Sequence, residues 1–221
     1  MIKHYEVSYL QELIKDNHEL AKDVTKPSIY FDMDGTLARW YENSKGLIYP
    51  EEVLDPKFHY YRDLEAHIYT VELCRRLIKY RKDVCIISAS DERCIEDKLI
   101  WLKTEIPSID ERNIFFCPIG ADKSQYIKNN IKGSILIDDY NKNLEEWKLA
   151  GGTPFKLVNT INSPSTKYEN ILCGRTEKDF EILLRKSDIE DAIQFLEERV
   201  DAEAKRISSY LEKIKKKEIE K

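Results

Sequence analysis

Apolar residues in this chain follow two rhythms. Short runs occur at residues 29–31, 84–87, 134–137 and 155–158, apolar except for Ser134 and Lys156, each ending in polar or turn-forming residues. Runs of that length read as strands buried on both faces. Between them, residues 71–80, 91–103, 123–130 and a stretch through Trp147 have apolar positions at helical spacing, the last stopping at Gly151-Gly152, a helix stop signal. Residues 113–117 read as extended. Residues 6–24 place Val7, Leu10, Ile14, Ala21 and Val24 near helical spacing until Lys26-Pro27 breaks the pattern. From Asp188 onward, Ile193, Leu196, Val200, Ile207, Leu211 and Ile214 mark a long charged helix, and Glu203 interrupts a strict heptad.

Strands alternating with helices predict an α/β fold, a Rossmann-like parallel sheet with helices on both faces. The organisation expected is an N-terminal helix within residues 1–27 packed on a core made of residues 28–38 and 67–185. An irregular, aromatic insertion at 39–66 follows the first strand, and a charged C-terminal helix spans 186–221. That helix is expected to dock on the core and run into a solvated end. A homodimer through it is the alternative.

The polar residues sit where such a fold places binding sites, beyond the carboxyl ends of the strands. Asp32 and Asp34 follow the first run, with Gly35 and Thr36 to turn the chain. Ser88 follows the second, Asp138 and Asp139 the fourth, and Lys123 opens the segment between them. Two carboxylates this close repel unless a cation or a proton lies between them, an arrangement suited to a metal-assisted nucleophile with an acid/base partner. A calcium loop is the plainer reading of D-x-D-G, but Leu37, Ala38, Arg39 and Trp40 follow in place of further oxygen ligands. Ser88 and Ser90 have a plainer reading too, as caps of the next helix with Asp91.

Composition narrows the classes. The 221 residues are 42% hydrophobic and 10% aromatic, which is not a disordered composition. A net charge of −5 gives no electrostatic case for duplex nucleic acid. No apolar run approaches the ~20 residues that span a bilayer, so no membrane segment is expected. Five cysteines without C-x-x-C pairing fit a reduced, cytoplasmic protein.

The order Asp32-x-Asp34-Gly35-Thr36-Leu37, Ser88, Lys123, Asp138-Asp139 resembles the four motifs of the haloacid dehalogenase-like (HAD) phosphatases, over about residues 28–160. The resemblance implies an aspartyl-phosphate mechanism. Asp32 would be the nucleophile and Asp34 the acid and base. Ser88 would hydrogen-bond a phosphoryl oxygen and Lys123 would neutralise it, with Lys128 the alternative contact. Mg2+ would be held by Asp32, the Asp34 backbone carbonyl and one or both of Asp138 and Asp139. Within that superfamily F-D-M-D-G-T-L, I-I-S-A-S, Asp122-Lys123 and L-I-D-D look most like the 5′(3′)-deoxyribonucleotidase branch. Residues 39–66 would then be a small cap over a nucleoside monophosphate. Gly35 and Thr36 would line the phosphate, and Trp40, Tyr60 and Tyr61, with Tyr41 and Phe58, are candidates for stacking on the base. Packing of the cap on the core is the other use of those rings. Two departures bear on the substrate: Ser88 stands where that branch has threonine, and the cap is short. A sugar phosphate, a polynucleotide end or a non-catalytic nucleotide-binding module are the competing readings.

Overall fold

The structure, a computed structural model, describes residues 28–40, 51–127, 131–159, 171–173, 193–194, 196–198, 201–202 and 205. The expected N-terminal helix, Tyr41, Lys128 and most of the C-terminal helix lie outside them.

Six parallel strands form one sheet: β1 Ile29–Phe31, β2 Val84–Ala89, β3 Ile114–Cys117, β4 Ile135–Asp138, β5 Thr153–Val158 and β6 Ile171–Cys173. Their order is β3-β2-β1-β4-β5-β6. The chain leaves β1 for β2 on one side and returns to β4 on the other, which puts the switch in strand order at β1. The connecting helices are α1 Glu51–Leu54, α2 Ile68–Tyr80, α3 Ile95–Glu105 and α4 Asn141–Leu149.

Alternation along the strands explains why both faces are covered. Ile29, Phe31, Val84, Ile86, Ile135 and Ile137 point to one face, where they form a first core cluster with Leu73 and Leu77 of α2 and Trp101 and Leu102 of α3. Tyr30, Cys85, Ile87 and Leu136 point to the other and form a second core cluster with Leu144 and Trp147 of α4. Tyr30 packs edge-on to Trp147 with ring centres 5.2 Å apart. A strand apolar at every position thus needs a helix on each side.

Two local expectations change. The helix expected over 123–130 is not formed by its described residues, 123–127: Lys123–Tyr126 is a single 3-10 turn, and Ile127 is already extended. Asp122 caps that turn through Ser124 N–H, and Ile127 leaves it to pack on the second core cluster. The strand β6, at the edge of the sheet, was not anticipated. Among the described residues of the C-terminal segment all are helical, and Ile193 and Leu196 are buried in the first cluster. No helix among the described residues is long and apolar enough to cross a membrane.

The described part of the insertion packs on the same core: Val53, Tyr61 and Leu64 join the first cluster. α3 holds it. Trp101 Nε1 donates to the Leu64 carbonyl at 2.7 Å, and Asp97 receives Arg62 at 2.9 Å and His59 Nδ1 at 3.1 Å.

Candidate active site

Every strand near the switch point delivers a polar residue at its carboxyl end. β1 delivers Asp32, whose N–H donates to the Ile137 carbonyl at 2.9 Å and so fixes its height beside β4. The chain then turns: Gly35 has φ +80°, and its N–H closes on the Ala38 carbonyl at 2.8 Å. A side chain there would collide with Asp139, whose carboxylate atoms lie 2.6–2.9 Å from the position of a Cβ. Glycine at 35 is therefore needed for both the turn and the close approach.

Asp32, Asp138 and Asp139 are all buried, and each offers an oxygen within 4.8 Å of the others. Lys123 stands between two of them. Its ammonium donates to Asp32 Oδ1 at 2.5 Å and to Asp138 Oδ2 at 2.8 Å. Burial disfavours its charge, but the Asp138 and Asp32 carboxylates outweigh that and raise its pKa. Asp32 moves far above the usual carboxylate range, because of burial first and the Asp138 charge second, with Lys123 opposing. Burial and Asp138 likewise push Asp139 up to about 7. Two lysines, Lys123 and Lys156, do not balance three buried carboxylates, and three converging oxygen donors are what a hard cation takes. The residues fit a metal site.

Asp138 is held at both oxygens, by Tyr140 N–H at 2.8 Å on Oδ1 and by Asn143 Nδ2 at 2.9 Å on Oδ2. Asn159, one residue past β5, donates to Asp139 Oδ2 at 2.8 Å and to the Gly35 carbonyl at 2.9 Å. It ties the Asp139 carboxylate to the β1 turn. The Lys156 ammonium donates to the Asp139 backbone carbonyl.

Asp34 lies on the other side of Asp32, beside Ser88 at the end of β2. A lysine from α3 joins them: Lys98 Nζ reaches Asp34 Oδ2 at 2.5 Å and Ser88 Oγ at 3.0 Å. Asp34 Oδ1 and Thr36 Oγ1 are buried and have no hydrogen-bond partner among the described residues.

Asp32, Asp34, Gly35, Thr36, Ser88, Lys123, Asp138 and Asp139 are thus brought to one end of the sheet. Ser90 does not cap the next helix; its hydroxyl donates to the Asp91 carbonyl, and Asp91 caps the 3-10 turn Glu92–Cys94 that leads into α3. Trp40 and Tyr60 are half-buried and joined, Tyr60 Oη donating to the Trp40 carbonyl at 2.7 Å. Tyr61 is 2% exposed, with Lys98 4.4 Å above its ring centre and Tyr60 against it edge-on. Lys98, Asn159 and Asn143 were not anticipated. Asn159 follows a strand as the aspartates do, and Lys98 interrupts the apolar stripe of Cys94, Trp101 and Leu102. Both signals were available in the sequence.

Residues 53–163 match the family model described as 5′ nucleotidase, deoxy (pyrimidine), cytosolic type C protein. The chain belongs to this family. It is a nucleotidase of the HAD superfamily, a phosphatase. The matched segment holds Ser88, Lys123, Asp138, Asp139 and Asn159, while Asp32 and Asp34 lie before it. A curated relative, the 5′(3′)-deoxyribonucleotidase of Clostridium acetobutylicum, is 28% identical over 139 residues, 62% of this chain and 69% of that protein. Similar solved structures include a HAD family hydrolase from Deinococcus radiodurans R1, at 14% identity and a TM-score of 0.47, covering 76% of this chain and 98% of that one. Another is a HAD hydrolase of family IA, variant 3, from Entamoeba histolytica, at 16% identity and a TM-score of 0.49, covering 76% and 99%.

Proposed function

We propose that this nucleotidase hydrolyses nucleoside monophosphates through an aspartyl-phosphate on Asp32, with Mg2+ held by Asp32, Asp138 and Asp139. The observation that carries the reading is the site's charge. Four carboxylates (Asp32, Asp34, Asp138, Asp139) face three lysines (Lys98, Lys123, Lys156), leaving 3 − 4 = −1 when all are ionised. A divalent ion turns this to +1, the sign that a phosphoryl dianion requires. When bound, that ion supplies charge stabilisation on the phosphoryl oxygens and orients them for in-line attack.

The residues divide the work. An Asp32 carboxylate oxygen forms the bond to phosphorus as the bond to the leaving oxygen breaks, and Asp34 gives that oxygen a proton. Water then attacks phosphorus, Asp34 takes the water's proton, and phosphate leaves with Asp32 regenerated. Lys123, already on Asp32, offers its remaining N–H to an equatorial oxygen, and the Thr36 hydroxyl, which has no hydrogen-bond partner among the described residues, is a second donor. Ser88 supports the site from behind Lys98. The segment 39–66 serves as the cap, with the base against the half-buried Trp40 and Tyr60 side chains. The name of the clostridial relative supports a nucleoside monophosphate as substrate.

Cys74, Cys85, Cys94 and Cys117 are buried thiols outside any disulfide, which supports a reducing compartment, the cytoplasm. Burial of Ile193 and Leu196 on the core supports a docked C-terminal helix, and a homodimer through its remainder is tested by mass in solution.

The test is phosphate release from nucleoside monophosphates, sugar phosphates and an aryl phosphate, with and without Mg2+, beside Asp32→Asn. Magnesium-dependent release that disappears in the variant is expected. Equal release by the variant, or none from any nucleoside monophosphate while a sugar phosphate turns over, refutes the proposal.

A further inference from the structure

Lys98 belongs to none of the motif clusters, and the steps above leave it unused. Its side chain is fully buried, on the apolar stripe of α3 between Cys94 and Trp101-Leu102. A buried ammonium is costly unless every donor is satisfied. Here all three are: Asp34 Oδ2 at 2.5 Å, Ser88 Oγ at 3.0 Å and the Ala89 carbonyl at 2.8 Å. The Tyr61 ring, from the cap segment, lies beneath it at 4.4 Å, a favourable face for a cation. No N–H is left for a phosphoryl oxygen. Asp34 is the opposite case, with Oδ2 taken and Oδ1 buried without a partner among the described residues.

We propose that Lys98 is the positioning residue of the acid step, pinning Asp34 by Oδ2 so that Oδ1 faces the leaving-group oxygen, with Tyr61 holding the lysine in place. The inference rests on the role given to Asp34 above. The proton goes from Asp34 Oδ1 to the leaving oxygen as the phosphorus–oxygen bond breaks, and Lys98 keeps its own protons throughout. Because Tyr61 comes from the cap segment and Lys98 from the core, the cap contributes to the acid's alignment as well as to binding.

A leaving group that departs without a proton does not need the acid, which gives a test independent of any nucleoside. Hydrolysis of a series of substituted phenyl phosphates, from phenyl to 4-nitrophenyl, is measured for wild type and Lys98→Met with Mg2+. General acid catalysis supplies about 10²–10⁴-fold, and a misplaced group forfeits about 10². Lys98→Met is therefore expected to lower kcat/KM for phenyl phosphate about 100-fold and for 4-nitrophenyl phosphate less than about fivefold. Inhibition by inorganic phosphate should stay unchanged, since Lys98 does not touch the phosphoryl group. Equal loss on both substrates, or weakened phosphate inhibition, overturns the proposal in favour of direct phosphoryl contact. Should Lys98→Met not fold, Tyr61→Leu keeps the lysine and all reacting atoms. It should show the same selective loss, about tenfold on phenyl phosphate, and an unselective loss overturns the proposal equally. Wild-type protein inactive on the whole series with Mg2+ overturns the reaction itself, whereas active wild type with an undifferentiated variant overturns the role of Lys98 alone.

Discussion

Replacing Gly35 by alanine isolates the tightest contact in the site. Its φ of +80° is a left-handed conformation that costs an L residue about 1–2 kcal/mol. The new Cβ would also lie 2.6 Å from Asp139 Oδ2, 2.7 Å from its Cγ and 2.9 Å from Oδ1. Asp139 is 9% exposed and bound by Asn159, so its carboxylate must swing and give up the hydrogen bond from that amide, a loss of about 1–3 kcal/mol. Gly35→Ala should therefore cost about 2–5 kcal/mol in denaturant unfolding, and Mg2+ should stabilise the variant less than wild type. A double-mutant cycle separates the two contributions. In an Asp139→Ala background the collision partner is gone, so alanine at 35 should cost only the backbone strain, about 1–2 kcal/mol. An undiminished cost in that background, or one below about 1 kcal/mol in wild type, refutes the argument that Gly35 is required by Asp139.

Further outcomes follow from the same geometry. Asn159→Ala removes the tether of Asp139 and should weaken Mg2+ binding about 10–100-fold in titration calorimetry; unchanged affinity would show that Asp139 needs no support. Lys123→Met leaves Asp32 and Asp138 buried without their shared cation and should destabilise metal-free protein by about 3–5 kcal/mol, with kcat down at least about 10²-fold; a stable, active variant contradicts the charge argument. Asp139 is raised to about 7 in the folded protein, so between about pH 4 and 7 the folded state holds a proton that the unfolded state has released. Its contribution to metal-free stability must therefore fall as pH rises through that window. Asp139→Asn should be more stable than metal-free wild type at pH 8, on the order of a few kcal/mol, and nearly equal at pH 5. Mg2+ stabilisation of wild type should grow over the same range as protons cease to compete. Parallel melting curves at both pH values count against the raised Asp139.

Much of the fold was legible because strands buried on both faces must be apolar at consecutive positions, and β1, β2 and β4 announced themselves that way, with β5 interrupted only by Lys156. β6 did not: it is as short as β1, but it lies at the sheet edge and no acidic pair follows it to draw attention. The segment expected as a helix over 123–130 departs from it in its described residues, 123–127. Its apolar residues suit a helix, but Ile127 is drawn onto the second core cluster, and long-range packing prevails over local spacing there. The insertion was legible as irregular and aromatic, not as to which ring faces which partner. Tyr60 and Tyr61 are adjacent, yet one is half-buried beside Trp40 and the other lies beneath a buried lysine.

The site divides along the same line. Asp32, Asp34, Ser88, Asp138 and Asp139 could be found because a parallel sheet brings the ends of its strands together, so position in the sequence translates directly into position in space. Asn159 obeys that rule but carries no charge to draw attention, and its use appears only once Gly35 and Asp139 lie against it. Lys98 lies outside the rule altogether: it comes from the middle of a helix and meets a carboxylate 64 positions away. The physical sign was its place on an apolar stripe, since a lysine with Trp101 and Leu102 on its flank must have found a counter-charge inside the fold. With two separated acid–lysine pairs at the sheet end, Asp32 with Lys123 and Asp34 with Lys98, the proposed nucleophile and the proposed acid are held by different lysines from different elements. Each can then be displaced without the other, so a defect in proton transfer is separable from one in phosphoryl attack. An enzyme whose single lysine served both aspartates would lose both steps together.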